Sequence, residues 1–314
     1  MISTADVELA AERIRGRVRR TPVLADEGVW FKLEQLQHTG SFKARGAFNR
    51  IIAAGELSAA GVVAASGGNA GLAVAHAARE FGLAARVFVP ANAPAVKVAK
   101  LGALGAAVEL VGAKYADAYD AAVKHAADSG ALFCHAYDQP EICAGQGTIG
   151  LELLADVDGL DTILVAVGGG GLLAGIAAAV ESRARVVGVE PRTAPTLNAA
   201  LAAGEPVPVE VSGVAADSLG ASRLGDIAFA VATRTGVGSV LVEDAAILDA
   251  RAALWDRYRL AVEPGGATAY AALRTGAYRP APGERVAVLL CGANTDPAAL
   301  TSPPAAPPAA RTAR

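Results

Sequence analysis

The sequence predicts an α/β fold of two open-sheet lobes, with the smaller lobe inserted in the larger. From Lys43 to about Tyr137, short apolar runs alternate with segments of helical spacing. That alternation implies parallel strands covered by helices on both faces. A second alternating set follows a break at Gln139-Pro140. The chain has 314 residues, more than one average domain, and can bury two cores.

The opening stretch MISTADVELAAERIRGRVRR reads as a polar amphipathic helix. It should close at Arg20-Thr21-Pro22, because Pro22 disfavours helical geometry at Thr21. Trp30–Glu34 reads as a strand, and Ser41 suits the N-cap of the helix that follows. Residues 45–137 make the smaller lobe, with strands at Gly61–Ala65, Arg86–Val89, Ala107–Val111 and Ala131–Cys134. Helices at Ala70–Phe81, Ala95–Leu104 and Tyr115–Asp128 separate them. Residues 1–44 and 138–302 make the larger lobe. There Gly145-Gln146-Gly147-Thr148 should start a helix, and strands fall near Thr162–Val167, Arg185–Val189, Ser239–Val242 and Val286–Leu290. The Pro/Ala-rich residues 303–314 have nothing to pack and should be disordered. No internal repeat is found.

Composition removes several function classes. Hydrophobic residues are 53% and charged residues 19%, a globular balance. The net charge of -3 and the lack of a basic run give no case for nucleic acid. Cys134, Cys143 and Cys291 are widely spaced, odd in number and without a secretory signal, which points to reduced thiols in the cytoplasm. The N-terminal helix lacks a long apolar core, so neither a signal peptide nor a membrane span is expected. His38, His76, His125 and His135 show no metal spacing.

Three short motifs carry the chemistry. In Gly40-Ser41-Phe42-Lys43, the lysine falls in a first helical turn, where the dipole disfavours a cation. Arg45 and the aromatic neighbour Phe42 should both push its pKa down, toward the neutral amine of a nucleophile or base. Ser66-Gly67-Gly68-Asn69-Ala70-Gly71 sits between an apolar run and a helix. Gly168-Gly169-Gly170-Gly171-Leu172 repeats that arrangement, and glycine N–H groups at a helix start cradle a phosphate. Alone, Gly169-x-Gly171-x-x-Ala174 followed by Glu190 also fits a dinucleotide fingerprint. That alternative gives no reason for the two upstream motifs.

In this order and at these separations, the motifs resemble the fold-type II pyridoxal-phosphate enzymes. The similarity is greatest to their serine/threonine dehydratase (ammonia-lyase) branch and runs from Arg20-Thr21-Pro22 to Cys291-Gly292. The resemblance implies that Lys43 carries the cofactor covalently and that Phe42 lies beside its ring. It also implies that Asn69 bonds the ring oxygen, and that Gly168–Gly171 and Leu172 hold the phosphate. Cys291 would touch the pyridine nitrogen, unless it is one more buried small cysteine. Ser66, Gly67 and Asn69 would hold the carboxylate of a small amino-acid substrate, L-serine or L-threonine, which β-elimination turns into a 2-oxo acid and ammonia. β-Replacement and threonine synthase-type chemistry remain as alternatives within the family. A dinucleotide-binding protein or a silent ligand-binding relative is the alternative outside its chemistry. A homodimer is the family habit. Relatives also bind a cation through groups spaced like Glu190, Ala194 and Thr196. With one formal charge there, a monovalent ion such as K⁺ is expected. Glu190 as an ordinary strand-end carboxylate is the alternative.

Overall fold

The computed structural model describes residues 2–300, and the tail expected to be disordered lies outside them. The chain opens with helix α1 (Thr4–Arg13), capped by the Ser3 side chain. This helix is shorter than expected. Gly16 lies at φ 73, in the left-handed region, and a turn has replaced the helix well before Pro22. Next comes a hairpin, β1 (Val23–Asp26) and β2 (Val29–Lys32), of which only the second strand was anticipated. Its turn, Glu27 and Gly28, has φ of 48 and 81, the positive pair of a tight hairpin connection.

The smaller sheet follows helix α2 (Lys43–Ala53). In order come β3 (Val62–Ala65), α3 (Asn69–Glu80), β4 (Ala85–Val89), α4 (Ala95–Ala103), β5 (Ala107–Leu110), α5 (Tyr115–Ser129) and β6 (Leu132–Phe133). Its four strands run parallel in the order β5-β4-β3-β6. β3 is buried along its whole length, because α2 and α3 pack their alanine-rich faces on one side and α5 covers the other.

The second set is α6 (Pro140–Asp156), β7 (Thr162–Ala166), α7 (Gly171–Val180), β8 (Arg185–Pro191), α8 (Thr196–Ala203), the short α9 (Ala216–Leu219) and α10 (Asp226–Thr235). It ends with β9 (Gly238–Val242), α11 (Asp244–Tyr258), α12 (Pro264–Thr275) and β10 (Val286–Leu289). The strands build a six-stranded sheet, β1-β2-β10-β7-β8-β9, parallel throughout except for β1. α6 starts at Pro140, not at Gly145 as expected. Gly145 and Gly147 instead lie mid-helix, at close helix contacts. A Cβ on Gly145 would sit 2.7 Å from the Gly46 backbone, and one on Gly147 would sit 2.5 Å from the Gly175 carbonyl. These glycines let α2, α6 and α7 approach where a larger residue would hold them apart. α7 is buried at every residue. No helix among the described residues is long and apolar enough to cross a membrane.

Candidate active site

β3, β7 and β10 each end in a segment that lines one cavity: Asn69 after β3, Gly168–Gly171 after β7, and Cys291 after β10. Ligands gather at the carboxyl ends of parallel strands, so the sheets themselves explain this placement. Phe42, Lys43 and Leu172 complete the set of expected residues around the cavity.

Lys43 is the first residue of α2. Its ammonium nitrogen donates to the Ala136 carbonyl at 2.6 Å and lies 4.9 Å from the centre of the Phe42 ring. Burial pushes the amine down to about 8, against the opposing pull of Glu263. The direction is the expected one, but the cause is not Arg45. That guanidinium turns away into a buried ion network, 2.7 Å from both Glu34 and Glu152. Ser41 also differs from expectation. It is extended at φ -160 and bridges to Gly292, one residue too early to cap, so Phe42 takes the N-cap position. Its hydroxyl is buried with no partner among the described residues.

The glycine loop is shaped by what surrounds it. Gly170 has φ +84, and a Cβ on Gly169 would stand 2.3 Å from the Tyr137 ring. The backbone N–H groups from Gly168 to Leu172 meet no acceptor among the described residues. Unpaired donors at the start of a buried helix favour an anion. A second group of N–H donors, from Gly67, Asn69, Ala70 and Gly71, stands at the start of α3 without acceptors among the described residues. Gly67, Gly68 and Asn69 line a cleft of about 690 Å³, which shares Asn69, Ser218 and Glu263 with the cavity. Ser66 lines neither space; its oxygen accepts the Gly68 N–H at 3.2 Å. Cys291 is buried, and burial raises its thiol above the ordinary range, so it stays neutral.

The groups expected to bind a cation are hydrogen-bonded within the protein. Glu190 is fully buried and accepts from the N–H groups of Leu197 at 2.6 Å and Asn198 at 2.9 Å. The Ala194 carbonyl accepts the Thr196 N–H at 3.2 Å. The Thr196 hydroxyl donates to Gly168. These oxygens already serve the N-terminus of α8, where backbone donors and the dipole both favour a carboxylate. Burial nevertheless raises the Glu190 carboxyl to about 7.

The model of the family described as pyridoxal-phosphate dependent enzyme matches residues 14–292. The chain belongs to that family. It is 39% identical over 302 residues to an L-threonine ammonia-lyase of Geobacter sulfurreducens, covering 92% of this chain and 75% of that protein. A phenylserine dehydratase of Ralstonia pickettii is 37% identical, with 91% of each chain covered. Among solved structures, maize serine racemase superposes with a TM-score of 0.89 at 32% identity over 95% of both chains. These similarities agree with the serine/threonine dehydratase-type fold expected from the motifs.

The cavity fits pyridoxal phosphate. It offers a buried amine on Lys43, an unpaired run of N–H donors for the phosphate, an amide on Asn69 and a neutral thiol on Cys291. Sequence reading missed Glu263, Tyr137, Ser218 and Leu219, which also line the cavity. Glu263 had a signal: Pro264-Gly265-Gly266 marks a helix start with Pro at its first position. Tyr137 and Leu219 lie outside any periodic pattern, and only the fold brings them in.

Proposed function

We propose that this enzyme eliminates water from a β-hydroxy-L-amino acid, L-serine or L-threonine in the first instance, giving a 2-oxo acid and ammonia. The observation that carries the reading is a cavity holding a buried Lys43 amine of lowered basicity beside N–H donors of the glycine loop that are unpaired among the described residues. A second such set, at the start of α3, reaches the adjoining cleft. The donors after β7 suit the cofactor phosphate, and those at the start of α3 suit the substrate carboxylate. Bound there, the cofactor supplies a sink for the electron pair left at Cα. The Lys43 amine is the base that takes the Cα proton, since burial keeps it able to accept one near neutral pH. The Asn69 amide and the Cys291 thiol, both lining the cavity, would hold the ring as hydrogen-bond partners that carry no charge. The similarity to threonine ammonia-lyases supports elimination as the outcome.

Racemisation is a second reading, favoured by the overlap with serine racemases. It needs a second acid or base opposite Lys43. At Gly67 there is no side chain, and Lys97 beside it is paired with Asp217. A panel of β-hydroxy amino acids scored for 2-oxo acid, with D-serine measured alongside, tests both readings. 2-Oxo acid from serine or threonine with little D-serine is expected. D-serine as the main product would reverse the assignment.

A further inference from the structure

One carboxyl at the site has no task in the reaction as described. Glu263, the residue before α12, is 5% exposed and is the only carboxyl among the described residues lining the cavity. It also lines the adjoining cleft, so it stands where the two spaces meet. Its backbone is fixed by a 3.0 Å bond from its N–H to the Gly292 carbonyl. A Cβ on Gly292 would lie 2.2 Å from Glu263 Oε1, so the glycine leaves room for this side chain.

The hydrogen bonds around Glu263 have a forced direction. The Thr39 carbonyl can only accept, so the atom of Asn294 2.7 Å away is its NH₂ group. That nitrogen also lies 2.6 Å from Asn69, whose facing atom must then be the amide oxygen. The NH₂ of Asn69 is thereby turned to Glu263 and donates to Oε1 at 2.6 Å. Oε2 meets no protein donor among the described residues. A proton held by Glu263 therefore belongs on Oε2, the oxygen free to pass it on.

We propose that Glu263 is the general acid that protonates the departing β-hydroxyl. This rests on the elimination reading above. The Cβ–O bond breaks with its electron pair passing to oxygen, and the Oε2 proton completes a water molecule. Lys43 holds the proton it took from Cα and returns it to Glu263, so both groups end as they began. Burial, with Asp217 of α9, raises the carboxyl to about 7, while Asn69, Lys97 of α4 and Lys43 of α2 oppose the rise. The other carboxylates lining the cleft are engaged elsewhere: Asp217 pairs with Lys97, and Asp296 accepts the Ala298 N–H at 2.9 Å.

The test compares leaving groups in the cofactor-loaded enzyme. Glu263→Gln keeps an acceptor for Asn69 but has no acidic proton. Its turnover of L-serine should fall about 10²–10⁴-fold, the usual share of general acid catalysis. Elimination of chloride from β-chloro-L-alanine needs no protonation and should stay within about threefold, on the same reasoning. The amount of cofactor bound and its absorbance spectrum should match the wild type. Equal losses on both substrates, or an undiminished serine rate, would overturn the acid role. A wild-type enzyme inert toward both substrates would remove the elimination reading and this role with it.

Discussion

The hydroxyl of Thr196, the first residue of α8, lies 2.5 Å from the carbonyl oxygen of Gly168. The same hydroxyl is 3.1 Å from Glu190, so a buried strand-end carboxyl stands behind the glycine loop. Thr196→Val keeps the shape and removes the bond. Cofactor affinity should fall about two- to thirteenfold, the worth of one hydrogen bond of about 0.5–1.5 kcal/mol. Thr196→Ser should restore it. A cofactor titration followed by absorbance distinguishes the pair, and equal affinity in wild type and Thr196→Val would show that the loop needs no such support.

Glu190 also bears on cations. Its oxygens accept the first N–H groups of α8, so activity should not respond to K⁺, Na⁺ or Mg²⁺ after dialysis into a large organic cation. Activation by K⁺ would mean that these amides yield the carboxylate to an ion.

Lys43 sets a pH dependence for cofactor uptake by the apoenzyme. Its amine is brought down from 10.5 to about 8, so the neutral, nucleophilic form grows as pH rises through 8 and levels about one unit above it. The rate of absorbance gain on adding cofactor should follow that curve. A rate still climbing toward pH 10 would show a lysine with ordinary basicity, and so one that burial does not perturb.

Much of this was legible in the sequence because the motifs are local. Lys43 opens a helix, and Asn69 and the Gly168–Gly171 loop each sit at a strand–helix junction, so their spacing to those elements can be read directly. Gly145 was misread because a glycine in a helix can mark a helix contact as easily as a start, and only Gly46 across the gap decides. Glu190 shows the same limit. Its separation from Thr196 suits a cation, yet whether its oxygens face an ion or the amides of α8 depends on how α8 begins.

Arg45 is another residue whose role the local pattern concealed. Fully buried, it ties Glu34 before α2 to Glu152 of α6. Arg45→Ala leaves the buried Glu34 carboxylate without its cation, while Glu152 keeps Lys32 at 2.6 Å, and should lower stability by about 3–5 kcal/mol. Urea denaturation measures it. A loss below about 1 kcal/mol, the range of an exposed pair, would contradict the buried network.

The central claim is that Lys43 holds the cofactor and acts as the base. Borohydride reduction of the loaded enzyme, followed by peptide mass mapping, tests it most directly. The account predicts a pyridoxyl label on Lys43 alone, and in Lys43→Ala neither label nor formation of 2-oxo acid. A label on another lysine, or a Lys43→Ala enzyme that still converts serine or threonine at near the wild-type rate, would contradict it.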